Sequence, residues 1–150
     1  MTTPIHIFDY PFDDEKIEEK YFSNNWEDYK DTRLGTTWPT YKMSAFSKYD
    51  NEGEVITWDY AEEIIEDLGL SGCDIHPRFF WLGPNTRLGP HTDDKTLCSI
   101  NYIINDDYGP IVVEDKTYHY KSCLLNCQKV HGVPTYPKER RLFKLSIFDK

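Results

Sequence analysis

The residues of this 150-residue chain whose types and spacing could do chemistry run in order: His91-Thr92-Asp93, then His131, then Arg140-Arg141. His91 and Asp93 are two apart, and on an extended segment residues i and i+2 point the same way. Both side chains can then reach one point. His131 falls on a later predicted strand, which can run beside the first in a rolled sheet. Two neutral imidazoles and one carboxylate on one face of a divalent ion leave three positions open. That is the facial triad of non-haem Fe(II) chemistry. The His-x-Asp pair alone carries little weight, because a polar pair at a strand end beside a Gly-Pro turn explains it as well. Asp94 is a rival ligand of the wrong strand parity.

Context adds to the pair. Gly89-Pro90 makes a turn that presents the residues after it at a rim. The segment Arg78-Phe79-Phe80-Trp81-Leu82-Gly83-Pro84-Asn85-Thr86-Arg87-Leu88-Gly89-Pro90-His91-Thr92-Asp93 resembles the strand–turn–ligand segment of the Fe(II)- and 2-oxoglutarate-dependent dioxygenases. Its Leu-Gly-Pro-Asn-Thr and Gly-Pro-His-Thr-Asp elements look most like the aspartyl/asparaginyl β-hydroxylase and prolyl 4-hydroxylase branches. A distal His and an Arg about ten residues beyond it complete the family pattern, and here His131 and Arg141 supply that spacing. The resemblance covers residues 76–148. It implies a double-stranded β-helix (jelly roll, cupin-like) with N-terminal helices. It further implies iron held by His91, Asp93 and His131, with 2-oxoglutarate and O2 as co-substrates and succinate and CO2 as products. The Asp93 carboxylate favours hydroxylation, since relatives that halogenate lack it. The substrate implied is a protein side chain or a small molecule.

The far carboxylate of 2-oxoglutarate needs a cation, and a bidentate Arg suits it best. Arg140 and Arg141 compete for that role. Along a strand, Arg141 shares a face with Phe143, Leu145 and Ile147, whereas Arg140 shares one with Leu142, Lys144 and Ser146. An Arg on the apolar face is buried without reason unless it meets an anion. Arg141 is therefore the expected co-substrate residue. Trp81, Asn101 and Tyr102 lie on strands expected to line the site and are candidates for hydrogen-bonding the co-substrate. Core packing is the simpler account of all three.

The elements that must position these residues are legible in part. Residues 13–26 read as an amphipathic helix with Ile17, Tyr21 and Phe22 on its apolar side. Residues 36–46 read as a strand, and Asn51-Glu52-Gly53 as a turn. Residues 59–68 read as a second helix: Asp59 as N-cap, Glu62 three residues on, an Ala61/Ile64/Ile65/Leu68 stripe, and Gly69 as C′. After Gly72 the chain reads as short strands at 75–82, 97–104, 111–114, 117–120, 123–126, 130–133 and 141–148, separated by turns. Such a series makes a sandwich, jelly roll or barrel. One domain of 1–150 follows, with a helix-rich part (1–72) packed on a β core (73–150) that carries the site.

Composition sets outer limits. The chain carries 26 Asp+Glu against 17 Lys+Arg, for a net charge of -9, and this argues against a nucleic-acid partner. Its 15% aromatic content argues against an acidic disordered chain. No apolar run approaches the ~20 residues of a membrane span. Four cysteines without a secretory leader point to free thiols in a reducing, cytoplasmic setting. A zinc site built from Cys98, Cys123, Cys127 and His119 lacks the usual close pairs. Two other functions fit the same fold: a non-catalytic cupin-like ligand-binding module, and a metal-dependent cupin enzyme that uses no 2-oxoglutarate. Oligomeric state is not encoded legibly.

Overall fold

The structure is a computed structural model that describes residues 4–24, 27–31, 36–45, 48–49, 55–56, 58–93, 95–104 and 109–148; for 27–31, 36–40, 44–45, 48–49 and 55–56 it describes the backbone. The elements in chain order are β1 (Ile5–Ile7), α1 (Asp14–Ser23), β2 (Glu27–Asp31), β3 (Thr36–Ala45), β4 (Lys48–Tyr49), β5 (Val55–Ile56), α2 (Asp59–Asp67), β6 (Asp74–Leu82), β7 (Leu88–His91), β8 (Thr96–Ile103), β9 (Pro110–Val113), β10 (Lys116–His119), β11 (Ser122–Asn126), β12 (His131–Val133) and β13 (Arg140–Phe148). The Asn51-Glu52-Gly53 turn, Asp94 and Trp26 lie outside the described residues.

Both helices form where the periodicity places them, with corrections at their ends. Asp13 caps α1 by accepting from the Lys16 N–H at 3.1 Å, and Asp14 and Glu15 add negative charge to the first turn. Ile17 and Tyr21 are buried, but Phe22 is 64% exposed. Five residues on from Ile17 is about 140° around a helix of 3.6 residues per turn, beyond the apolar stripe. In α2 the N-cap is Trp58, which makes no side-chain cap bond, so the expected Asp59–Glu62 capping box does not form. Asp59 and Glu62 instead lie in the first turn, where their charge complements the helix dipole. The C-terminus follows the expected pattern. Gly69 takes φ +74, its N–H donates to Glu66 O and the Leu70 N–H donates to Ile65 O, both at 2.9 Å, a Schellman motif.

The strands build the expected jelly roll from two antiparallel sheets. The larger has the order β1-β11-β8-β13-β6-β3-β2 and the smaller β10-β9-β12-β7. Strand β13 is central, with β6 on one side and β8 on the other. Period-two alternation gives its two faces different partners. Phe143 and Leu145, with Phe79 of β6 and Ile100 and Tyr102 of β8, pack against Ile17, Tyr21, Ala61, Ile64 and Ile65 of the helices. On the opposite face, Ile103 joins Ile111, Val113 and Leu125 in a second core between the sheets, with Leu142 against it. The β9–β10 hairpin turns on Glu114 (φ 49) and Asp115 (φ 65), both left-handed as a two-residue type I′ loop requires.

Five strands escape the sequence reading: β1, β2, β4, β5 and β7. β1 pairs with β11, so His6 sits opposite Leu124 in the larger sheet. β7 contains Gly89-Pro90, which reads as a turn. Its place at the end of the smaller sheet accommodates the proline, which has no N–H to give.

Candidate metal centre

His91 closes β7, His131 opens β12, and the two are direct cross-strand partners. Their ring centroids lie 4.5 Å apart. Asp93 stands just beyond β7, in a loop pinned by main-chain bonds. Its N–H donates to Cys127 O at 3.0 Å, and the Gln128 side-chain amide donates to the carbonyls of Asp93 (2.9 Å) and Thr96 (2.8 Å). The carboxylate oxygens then lie 3.7 Å from His91 Nε2 and 3.4 Å from His131 Nε2. All three donor atoms fall within 4.8 Å of one another.

Each imidazole is set by its own strand. His91 Nδ1 lies 2.7 Å from Gly89 O, and His131 Nδ1 lies 2.8 Å from Lys129 O. A carbonyl oxygen only accepts, so Nδ1 carries the proton in both rings. The Nε2 lone pairs are then free on the side that Asp93 occupies. Burial works against ionisation of Asp93, but its polar and cationic neighbours, His131 and Lys144 first among them, outweigh it, and its pKa is lowered. Two neutral nitrogens and one carboxylate on one side suit a divalent Fe(II)-type ion, with the main-chain carbonyls fixing ring orientation. It is the only group of three or more such ligands among the described residues. Cys98, Cys123, Cys127 and His119 therefore form no metal cluster there. Burial pushes the thiol of Cys123 up to about 12 and that of Cys127 up to about 11, so both behave as buried neutral thiols.

The triad opens into a cavity of ≈ 260 Å³ between the sheets. Its wall corrects part of the expected site. Asn101 lines it, but Trp81 and Tyr102 do not; they stand on the helix-covered face with Phe79 and Phe143. Trp81 Nε1 instead donates to Glu139 Oε2 at 2.7 Å. Arg141 also faces the helices. Its Nη2 lies 2.6 Å from Glu139 Oε1 and its guanidinium covers the Phe22 ring at 5.2 Å. Hydrogen bonding from Trp81 is the main reason that the Glu139 pKa is lowered, with the Arg141 charge adding to it.

Arg140 lines the cavity instead. It is only 7% exposed. Its Nη1 donates to Pro110 O at 2.5 Å and its guanidinium lies 5.1 Å from the Tyr136 ring centre. Gly109, at φ +50, approaches so closely that a Cβ there would sit 2.8 Å from the guanidinium carbon. Buried Tyr120 lines the same cavity, with Asn101 Nδ2 3.4 Å from its hydroxyl and the phenol pKa raised by burial. Tyr120, Arg78 and Lys144 are cavity residues that the sequence reading did not single out. For Lys144 the available signal was parity with Arg140 along one strand; Arg78 lies opposite it across the β6–β13 pair.

No family model and no curated protein matches the chain. Solved structures do. A prolyl hydroxylase from Trichoplax adhaerens, in complex with a peptide fragment of the hypoxia inducible factor oxygen degradation domain, superposes with a TM-score of 0.73 at 13% identity, over 99% of this chain and 84% of that one. The viral collagen prolyl hydroxylase of Paramecium Bursaria Chlorella virus-1 gives 0.66 at 10% identity, covering 99% and 97%. An oxidoreductase of the 2OG-Fe(II) oxygenase family from Burkholderia pseudomallei gives 0.62 at 15% identity, covering 89% and 78%. At these identities the likeness is one of fold: the chain is a double-stranded β-helix of the kind on which these oxygenases are built.

Proposed function

We propose that this protein is an Fe(II)- and 2-oxoglutarate-dependent oxygenase that hydroxylates a protein side chain or a small molecule. One observation carries the reading. His91, Asp93 and His131 converge, with both imidazoles presenting Nε2, in a cavity that also holds buried Arg140. His91, Asp93 and His131 would hold the iron. Arg140, rather than Arg141, would hold the far carboxylate of 2-oxoglutarate, with Tyr120 and Asn101 beside it as uncharged hydrogen-bonding groups.

Iron and 2-oxoglutarate, when bound, supply oxygen activation coupled to decarboxylation of the co-substrate to succinate. The chain's own contribution is orientation and electrostatics. Gly89 O and Lys129 O keep each histidine proton on Nδ1, so Nε2 needs no deprotonation to bind. Asp93 stays ionised and places its negative charge where a divalent cation would sit. Arg140 is held by Pro110 and Tyr136 before any ligand arrives, so little side-chain freedom is lost on binding. Leu88, Val133 and Ile111 line the cavity and keep its walls apolar between the polar groups. The four cysteines are free thiols, which suits a reducing compartment. No helix is long and apolar enough to cross a membrane among the described residues.

Anaerobic titration with Fe(II) and 2-oxoglutarate tests the reading through the weak visible charge-transfer band of the chelated pair. The band is expected in the parent protein and absent from His91→Ala and His131→Ala. Succinate release in air then separates an oxygenase from a binding module. Metal uptake without the band, or a His91→Ala variant that binds iron as well as the parent, would count against the assignment.

A further inference from the structure

Asp93 is the member of the triad that no strand carries: β7 ends at His91 and β8 begins at Thr96. A functional side chain on a loop is held less firmly than one on a strand unless other groups fix its backbone. The turn that joins β11 to β12 meets this loop. The Asp93 N–H donates to Cys127 O at 3.0 Å, and the Cys127 N–H donates to Leu97 O at 3.1 Å. The Gln128 side chain completes the contact. Its amide nitrogen carries two hydrogens and lies 2.9 Å from Asp93 O and 2.8 Å from Thr96 O. It thereby bridges the two ends of the β7–β8 loop. Gln128 is itself held, since its N–H donates to Asn126 Oδ1 at 3.1 Å.

The chemistry of the side chain suits this place. A carboxylate at 128 would set an acceptor against two carbonyl acceptors. A lysine would donate, but it would bring a cation beside a centre built to attract one. An amide donates twice and adds no charge. Gln128 is exposed, so burial of apolar surface does not explain its position. The same turn serves the triad a second time, because Lys129 O lies 2.8 Å from His131 Nδ1. Residues 126–129 thus orient one ligand through a main-chain carbonyl and brace another through a side-chain clamp.

We infer that Gln128 is a positioning residue for the metal centre: its amide locks the β7–β8 loop so that the Asp93 carboxylate stands beside Nε2 of His91 and of His131. The role rests on the reading of His91, Asp93 and His131 as metal ligands; the clamp itself rests on the bonds that Gln128 makes. Without it the loop keeps its main-chain tie at Asp93 N–H but loses the bridge between its ends, and the carboxylate is held less firmly against the two imidazoles.

Anaerobic calorimetric titration with Fe(II), and the visible absorption of bound cobalt(II), test this role. The parent protein is expected to take up both ions. Gln128→Met keeps the side-chain length and removes both donors. Its Fe(II) affinity is expected to fall about tenfold or more, the usual cost of disturbing a ligand's outer partner, with a thermal midpoint within a few degrees of the parent. At saturating cobalt(II) its spectrum should also move toward that of Asp93→Ala, because both changes act on the same carboxylate. A general loosening of the fold would weaken uptake and leave the spectrum of the bound ion as it is in the parent. Gln128→Ala repeats both measurements should the methionine variant fail to fold. An Fe(II) affinity within about twofold of the parent overturns the role, as does a cobalt(II) spectrum identical to the parent's. A parent protein that takes up neither ion overturns the metal-centre reading and the positioning role together, whereas unchanged variants of a metal-binding parent overturn the positioning role alone.

Discussion

Adjacent arginines with opposite duties are the sharpest result at the scale of single residues. Arg140 points into the cavity and Arg141 out of it, so their replacements should separate. Arg140→Gln is expected to weaken 2-oxoglutarate binding by about 1.5–3 kcal/mol, the worth of a hydrogen bond to a charged group. Arg141→Gln should leave that affinity unchanged within about twofold. Binding titrations on folded variants check both, and equal losses would remove Arg140 from its role. Arg141 serves Glu139, whose lowered pKa makes a prediction about acid. The folded value lies below the ordinary 4.5, so its stabilisation is fully present above that pH and is lost as pH falls through the folded value. The denaturation midpoints of the parent and Glu139→Gln should therefore differ at neutral pH and converge on acidification below 4.5. A gap that stays constant down to about pH 3 contradicts this. His91, Asp93 and His131 were readable because their types and order are unusual together. Arg141 was preferred over Arg140 because an apolar face was equated with the cavity, which Arg140 lines.

Strand β13 explains that error at the scale of elements. Its apolar face packs on α1 and α2, and its mixed face, with Arg140, Lys144 and Ser146, looks into the jelly roll. Polar residues on a strand read as solvent-facing when only one sheet surface is imagined to be covered. Here both are covered, and the more polar one is the cavity side. Trp81 and Tyr102, for which core packing was the simpler account, fall on the helix side, because each is paired in register with an odd-numbered residue of β13. The helices and the later strands were legible from periodicity and turn residues. β7 was not, since Gly89-Pro90 disguises an edge strand. Its docking on β12 is close: a Cβ on Gly132 would lie 2.8 Å from Leu88 O and 3.2 Å from Gly89 O. Gly132→Ala must push β7 away, and with it the Gly89 carbonyl that orients His91. The expected outcome is a loss of Fe(II) affinity of about 10–100-fold, the usual consequence of disturbing a ligand's orienting partner. Circular dichroism should stay close to that of the parent. Unchanged metal affinity in this variant would show that the β7–β12 contact does not position the ligand.

The whole molecule sets an acidic exterior around a cationic cavity. Composition shows the acidic excess, and the jelly roll encloses a cavity whose charged lining has the opposite sign. The two fields act at different ranges. An anionic ligand meets net repulsion at a distance and attraction only within the cavity, and the screening length shortens to about 8 Å at 0.15 M salt. Raising salt from 0.01 M to 0.15 M is therefore expected to increase the association rate of 2-oxoglutarate by a few-fold, as screening removes the long-range barrier first. Stopped-flow measurements check this, and a rate that falls steadily with salt would mean that the cavity field dominates the approach.

The division of the large sheet into a helix side and a cavity side also bears on how such a chain can change over generations. Odd-numbered residues of β13 hold the helices in place, and even-numbered ones meet what enters the roll. Substitutions at Leu142, Lys144 or Ser146 can alter ligand preference while the helix-packed core remains intact. A scan along β13 scored separately for protein abundance and for ligand capture should oscillate with period two, the two scores out of phase. One strand would then hold fold inheritance and chemical novelty in alternate positions, giving selection room to retune the pocket without first rebuilding the scaffold.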